Sequence, residues 1–403
     1  MKAGAAGALS EPSFRRLFAA RAFSLFGDGL VPVALAFAVL EVDNSASALG
    51  FVLASRSVSL VGFLLLGGVV ADRLPRKYVL IGSDLVRLVA QGLTAALLIG
   101  GSARLWELAA LAFVYGAGQA FFLPTSTGVI PETVSLPRLQ QANALISLTN
   151  STFAILGPVV AGVLVATAGA GWAIAADAVT FAVSAAFLAR LRIVPRAARP
   201  PTRVLQDLRE GWAVFRSRTW LWVDGLYSAL GNFATLSPML ALGPLVAERS
   251  LGGATAWATI VTALGIGSVL GGVALLRGRP RYPLRIGVTL LGLLSLPPAL
   301  LAIPAPTLAI AAGAVASSFG LNVFNTLFET TVQQRVPADA LSRVASIDWM
   351  LSLGLQPLGF ALAGPAAALF GIRATLTASA VWNVVSTAIV LSLPSVRNLS
   401  ARA

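Results

Sequence analysis

The sequence has no cysteine and no histidine. Disulfides, thiolate metal centres, Ser-His and Cys-His catalysis and any histidine proton relay are excluded with them, so a titratable proton carrier here must be aspartate or glutamate. Charge is scarce, 11% of 403 residues, and acid is the scarcer sign, 16 Asp and Glu against 29 Lys and Arg. There is no Gly-x-x-x-x-Gly-Lys-Ser/Thr phosphate loop and no metal-ligand spacing, and no pair of acids stands at productive spacing within one apolar run. An enzyme, a metal site and a bound cofactor are therefore not expected, and energy for any transport has to come from a gradient or a partner.

What the chain has instead is apolar length. Hydrophobic residues make up 57% of it, and they gather into twelve runs, at about 14–40, 47–70, 78–100, 107–130, 140–168, 172–191, 219–246, 255–276, 284–303, 307–331, 344–369 and 373–393. Runs of about 20 residues are the length of a bilayer-crossing helix, whereas a barrel would show short alternating segments. The expected fold is an all-α membrane protein of twelve spans. The first run is too long for a signal-peptide core and is read as a permanent helix.

Formal net charge is +13, but its placement argues against a nucleic-acid partner. Arg21, Arg56 and Arg87 fall inside apolar runs, Arg104, Arg249 and Arg373 fall in loops of one side, and the remaining basic residues fall on the other side. By the positive-inside rule both termini are cytoplasmic. The expected organisation is a cytoplasmic N-terminus (1–13), six helices (14–191), a basic linker (192–218), six more helices (219–393) and a cytoplasmic C-terminus (394–403). In the linker, Val204, Leu205, Leu208, Trp212 and Phe215 recur at helical spacing among arginines, as in an amphipathic helix on an anionic membrane surface; a plain tether is the alternative.

The two halves repeat one another. Leu156-Gly157-Pro158 of the fifth run returns as Leu355-Gln356-Pro357 in the eleventh, and Gly171 and Gly371 are each expected to open the following helix. The segment Gly68-Val-Val-Ala-Asp72-Arg73-Leu-Pro-Arg76-Lys77 has a partial copy at 272–281, with Leu276 where the first has Asp72. An acid kept in one half only is hard to explain by topology alone. The segment is either a positive-inside anchor or a conformational latch.

Acids within apolar runs are expensive and mark function by default. Asp28, in Phe26-Gly27-Asp28-Gly29, lies near the middle of the first run, and Arg56 falls at a similar depth in the second. An Asp28–Arg56 pair that separates during a conformational change would free the carboxylate to take a proton; the alternative is a permanent pair fixing two helices. Asp177, Asp224 and Glu329 are secondary proton-coupling candidates. Asp84 and Arg87, at i and i+3, and Asp348 are assigned to the cytoplasmic charge network around the Asp72 segment. Phe26, Gln119, Tyr227, Asn232, Asn322, Asn325 and Gln356 are candidates for a wide substrate cavity of largely apolar wall. An asparagine in such a helix can equally bond across to its neighbour.

The Gly68–Lys77 segment resembles the loop between the second and third helices of the major facilitator superfamily, with Pro75 where the family has glycine. Gly157-Pro158-Val-Val-Ala-Gly162 is similar to the Gly-Pro-x-x-Gly-Gly motif of that superfamily's drug and proton antiporters, Ala161 replacing the first of the paired glycines. Ser83–Arg87, Pro124–Ala144 and Glu329–Trp349 resemble the branch holding macrolide efflux proteins and enterobactin exporters. The resemblance implies two six-helix bundles working by alternating access. It also implies a latch in which Asp72 meets the start of the eleventh helix, with Gly68, Arg73, Arg76 and Lys77 supporting it, and an antiporter motif at Gly157, Pro158 and Gly162. The function it implies is export of an amphiphilic drug, macrolide or siderophore-like molecule in exchange for protons. Lipids surround such a protein, a monomer in the bacterial cytoplasmic membrane. A lipid or lysolipid transporter of the same fold, and a non-transporting scaffold or sensor, are the competing readings.

Overall fold

The computed structural model describes residues 7–192, 212–275, 280–303, 305–337 and 341–400. Their regular structure is entirely helical, and twelve helices are long and apolar enough to cross a membrane. Backbone amides that lose water must bond within their own segment, and a helix does this without a partner.

In chain order the helices are α1 (Pro12–Val42), α2 (Ala46–Arg73), α3 (Arg76–Ile99), α4 (Leu105–Val129), α5 (Leu139–Ala168) and α6 (Ala170–Ala189). Then come α7 (Thr219–Ser250), α8 (Ala254–Leu275), α9 (Pro283–Ala302) and α10 (Thr307–Arg335). The last two are α11 (Leu341–Gly354 and Gln356–Phe370, parted at Leu355) and α12 (Ile372–Ser392). Each overlaps one of the twelve runs read from the sequence. The chain divides into two compact units, one of residues 1–44 and 55–200, the other of residues 45–54 and 201–403.

In the first unit α1 packs on α5 and α6, and α3 on α4 and α6. Apolar side chains gain little by leaving lipid for one another, so close approach depends on small residues. Gly157 of the antiporter-type motif supplies this: a β-carbon there would lie 2.6 Å from the Gly29 Cα of α1. Pro158, Ala161 and Gly162 are buried beside it.

The repeat is visible at the turns. Gly169 joins α5 to α6 at φ +94° and Gly371 joins α11 to α12 at φ +87°, a region that side chains avoid. The expectation for Gly171 is thus off by two residues, because that glycine lies inside α6 and the turn needs Gly169.

In the second unit α10 packs along both α8 and α9. Three of its helices are broken rather than smooth. A π-helical turn (Asn232–Leu236) precedes Pro238 in α7, a 3-10 turn (Gly292–Ser295) precedes Pro297 and Pro298 in α9, and the Leu355 break precedes Pro357 in α11. Proline lacks the N–H that a continuing α-helix would use, so the turn before it loosens. Most of the linker, including Val204, Leu205 and Leu208, lies outside the described residues; Phe215 is buried in the core of the second unit, with Trp212 stacked on it at 5.8 Å.

Candidate functional site

Along one face of α3 stand Asp84, Arg87 and Gln91, spaced three and four residues apart. All are buried, and each reaches another helix. Arg87, with no exposed surface, pairs with Asp84 and comes within 3.7 Å of the Asp28 carboxylate on α1. Its guanidinium lies 4.1 Å from the Phe122 ring centre and 4.2 Å from that of Phe181, a cation–π sandwich that holds the charge without water. The second Asp84 oxygen accepts a 2.6 Å bond from the Ser184 hydroxyl of α6. One turn further on, Gln91 donates to Asp177 of α6 at 2.5 Å.

Asp28 differs from the other two acids. The side chains of Asp84 and Asp177 are buried, whereas that of Asp28 keeps 26% of its surface exposed. It accepts a 2.7 Å hydrogen bond from the Tyr115 hydroxyl of α4. Arg56 of α2 lies 4.6 Å over the Tyr115 ring and donates to Gln119 at 3.1 Å. The expected Asp28–Arg56 pair is therefore not formed: Tyr115 stands between the two, taking Asp28 with its hydroxyl and Arg56 with its ring. The assignment of Asp84 and Arg87 to a loop network is likewise corrected, since both are buried within the helix bundle and Arg87 is the direct cationic neighbour of Asp28.

The charge network at the end of the unit involves other residues. Arg76 donates to the Gly128 carbonyl at 2.5 Å and pairs with Glu132 at 2.7 Å, and Lys77 donates to the Ala189 carbonyl at 2.7 Å. Glu11 accepts from the Ser135 hydroxyl at 2.6 Å and pairs with Arg138 at 3.3 Å. Those Ser135 bonds, with Arg138 behind them, hold the Glu11 carboxyl below its ordinary range. Arg73 is exposed, and a β-carbon at Gly68 would meet open space. The Asp72 side chain and its counterpart in the second half, Leu276, lie outside the described residues.

In the second unit a cavity of about 570 Å³ opens among α7, α9, α10, α11 and α12. Of the residues read as candidates, Asp224, Tyr227, Asn232, Asn325, Glu329 and Asp348 line it. Asp348 is a cavity acid rather than a member of a loop network. Its aspartate oxygen lies against Gly225, one residue from Asp224. Two candidates of this unit are elsewhere. Asn322 turns to α8 and donates to Ser268 at 3.0 Å, and Gln356 uses its backbone carbonyl to accept from Ser237 at 3.2 Å. Phe26 packs edge-on against Phe153 of α5 at 5.3 Å, in the first unit.

Several residues of both sites escape a reading by charge alone. Tyr115, Gln91 and Ser184 complete the α3 network, and Asn383 of α12 joins the cavity. The signal for Gln91 and Ser184 was periodic: each repeats at seven residues from an acid of its own helix, Asp84 and Asp177.

The sequence profile of the Major Facilitator Superfamily matches residues 17–355. The chain belongs to the Major Facilitator Superfamily. A relative, the enterobactin exporter EntS of Escherichia coli O1:K1 / APEC, is 27% identical over 383 residues, covering 92% of this chain and 89% of that one. Among solved structures, the nucleoside transporter NupG superposes with a TM-score of 0.74 at 16% identity, covering 93% of this chain and 97% of that one. A bacterial homolog of the human lysosomal transporter Spinster gives 0.69 at 17% identity, covering 93% and 95%. These likenesses extend across both units, so this superfamily member is a multi-pass membrane transporter and not an enzyme.

Proposed function

We propose that this transporter exports an amphiphilic small molecule across the bacterial cytoplasmic membrane by alternating access, in exchange for protons. The observation that carries the reading is the Arg87 arrangement: one buried guanidinium shared between a sealed carboxylate, Asp84, and a partly exposed one, Asp28. Water-borne protons reach Asp28. When it is neutralised, Arg87 keeps Asp84 as its counter-ion, so no uncompensated charge is left in the bundle. A charged contact at this distance is worth about 4 kcal/mol before desolvation is set against it, enough to bias a two-state equilibrium. Tyr115 links that switch to Arg56 and Gln119, and so to α2.

In this scheme protonation of Asp28 loosens α1 from α3 and favours release of cargo. Asp177, held by Gln91, is a secondary acid of the same network. Asp72, with Arg73, Arg76 and Lys77, is the latch between α2 and α3, and Gly157 and Pro158 set the α1–α5 contact that export requires. The termini face the cytoplasm and the working unit is a monomer. EntS, an enterobactin exporter, supports the outward direction. The test is flux in liposomes reconstituted with the purified protein: a panel of macrolides, siderophores, cationic dyes and lysolipids is followed with and without an imposed pH gradient. Substrate movement coupled to proton movement is expected, and flux indifferent to the gradient would remove the antiport claim.

A further inference from the structure

The acids of the two units are treated differently. In the first, Asp28 and Asp84 meet Arg87, and Asp177 is capped by an amide. In the second, Asp224, Asp348 and Glu329 line one cavity, and no lysine or arginine is among the described residues around it. Asp348 shares the cavity wall with Asp224 and Glu329, and one of its carboxylate oxygens lies beside Gly225, the residue next to Asp224. Acids gathered this way would by themselves prove nothing about a ligand.

A second observation does point to one. Asn383 is 1% exposed, lines the same cavity, and its side-chain oxygen has no hydrogen-bond partner; one oxygen of Asp348 is also buried and unpartnered. A buried acceptor left without a donor costs about 1–3 kcal/mol, so these two oxygens are acceptors left open for a donor or a positive charge. Its wall adds aromatic surface from Tyr227, Phe324, Phe328 and Trp349, whose faces attract cations. A metal ion would not need this apolar wall, and about 570 Å³ is the room of a drug-sized molecule.

We propose that the cavity of the second unit is a recognition site for an organic cation, with Asp348, Asp224, Glu329 and the Asn383 side-chain oxygen facing its charge and the aromatic residues covering its apolar body. This deepens the transport reading above and rests on it for its physiological meaning: the exported amphiphile is cationic. The site is confined to the second unit, while proton coupling is confined to the first.

The experiment uses two probes of the same shape and opposite charge, tetraphenylphosphonium and tetraphenylborate, measured by equilibrium binding to the full chain in nanodiscs. Saturable binding of the phosphonium at least tenfold tighter than the borate is expected. Asp348→Asn and Glu329→Gln should each weaken phosphonium binding several-fold. Glu329 is exposed, so its variant guards against a loss caused by misfolding, and the exposed Asp43→Asn, which removes one charge from the other unit, should bind as the parent does. Equal affinity for the two probes, or parental affinity in both cavity variants, would overturn the proposal. Flux of the neutral dye Nile red driven by a pH gradient, without selective phosphonium binding, would overturn the cation site and leave transport standing. Selective binding without any flux would support the site and count against the transport reading.

Discussion

Asp28 and Asp84 share a counter-ion yet meet unequal surroundings, and that inequality decides what each can do. Asp84 is sealed between Arg87 and Ser184; Asp28 keeps 26% of its side-chain surface exposed and has only a 3.7 Å contact with the same guanidinium. Removing Arg87 should therefore harm more than removing either acid. Arg87→Leu leaves two acids without their base, and a loss of about 3–5 kcal/mol is expected, read as a fall in melting temperature in detergent. The double variant Arg87→Leu with Asp84→Leu should recover part of it; no recovery would show that the pair is not energetically coupled. At the end of the bundle Glu11 gives a pH signature. Its carboxyl is held below the ordinary range of a glutamate by Ser135, so the contact contributes stability above that range and loses it as pH falls through the lower folded value. Ser135→Ala should flatten this acid dependence, followed by protection of the α1 start in hydrogen exchange.

At the scale of elements, the twelve helices were legible because an apolar run long enough to cross a bilayer has few other fates. Partners were less legible. Asp28 and Arg56 lie at similar depths, and depth alone paired them; the register of α4, which inserts Tyr115 between them, is a tertiary fact. For Asp84 and Arg87 it was nearness in sequence to the Asp72 segment that misled, hiding their inward face. The breaks in the helices around the cavity, each just ahead of Pro238, Pro297 or Pro357, were not read from the sequence, because a proline does not say to which side its helix opens. The Gly29–Gly157 contact makes the strictest prediction here. Gly157→Val should force α1 and α5 apart and abolish well-folded protein in size-exclusion chromatography, whereas Gly68→Ala, facing open space, should fold normally. A well-folded Gly157→Val would contradict the close contact.

At the scale of the whole molecule, the two units repeat one architecture, down to the φ values of Gly169 and Gly371, but not one chemistry. The first unit buries acids against a base, where proton exchange is proposed; the second lines a cavity with acids and aromatics, where the cargo site is proposed. The proposed latch makes its own prediction: Asp72→Asn should depress flux while cargo affinity is kept, and unchanged flux would return the segment to a topology anchor. The central claim is that Asp28 carries the coupled proton, and it is tested most directly by reconstituting Asp28→Asn and measuring substrate flux against an imposed pH gradient. The account predicts loss of gradient-driven flux with substrate binding retained. Gradient-driven flux at the parental rate would contradict it.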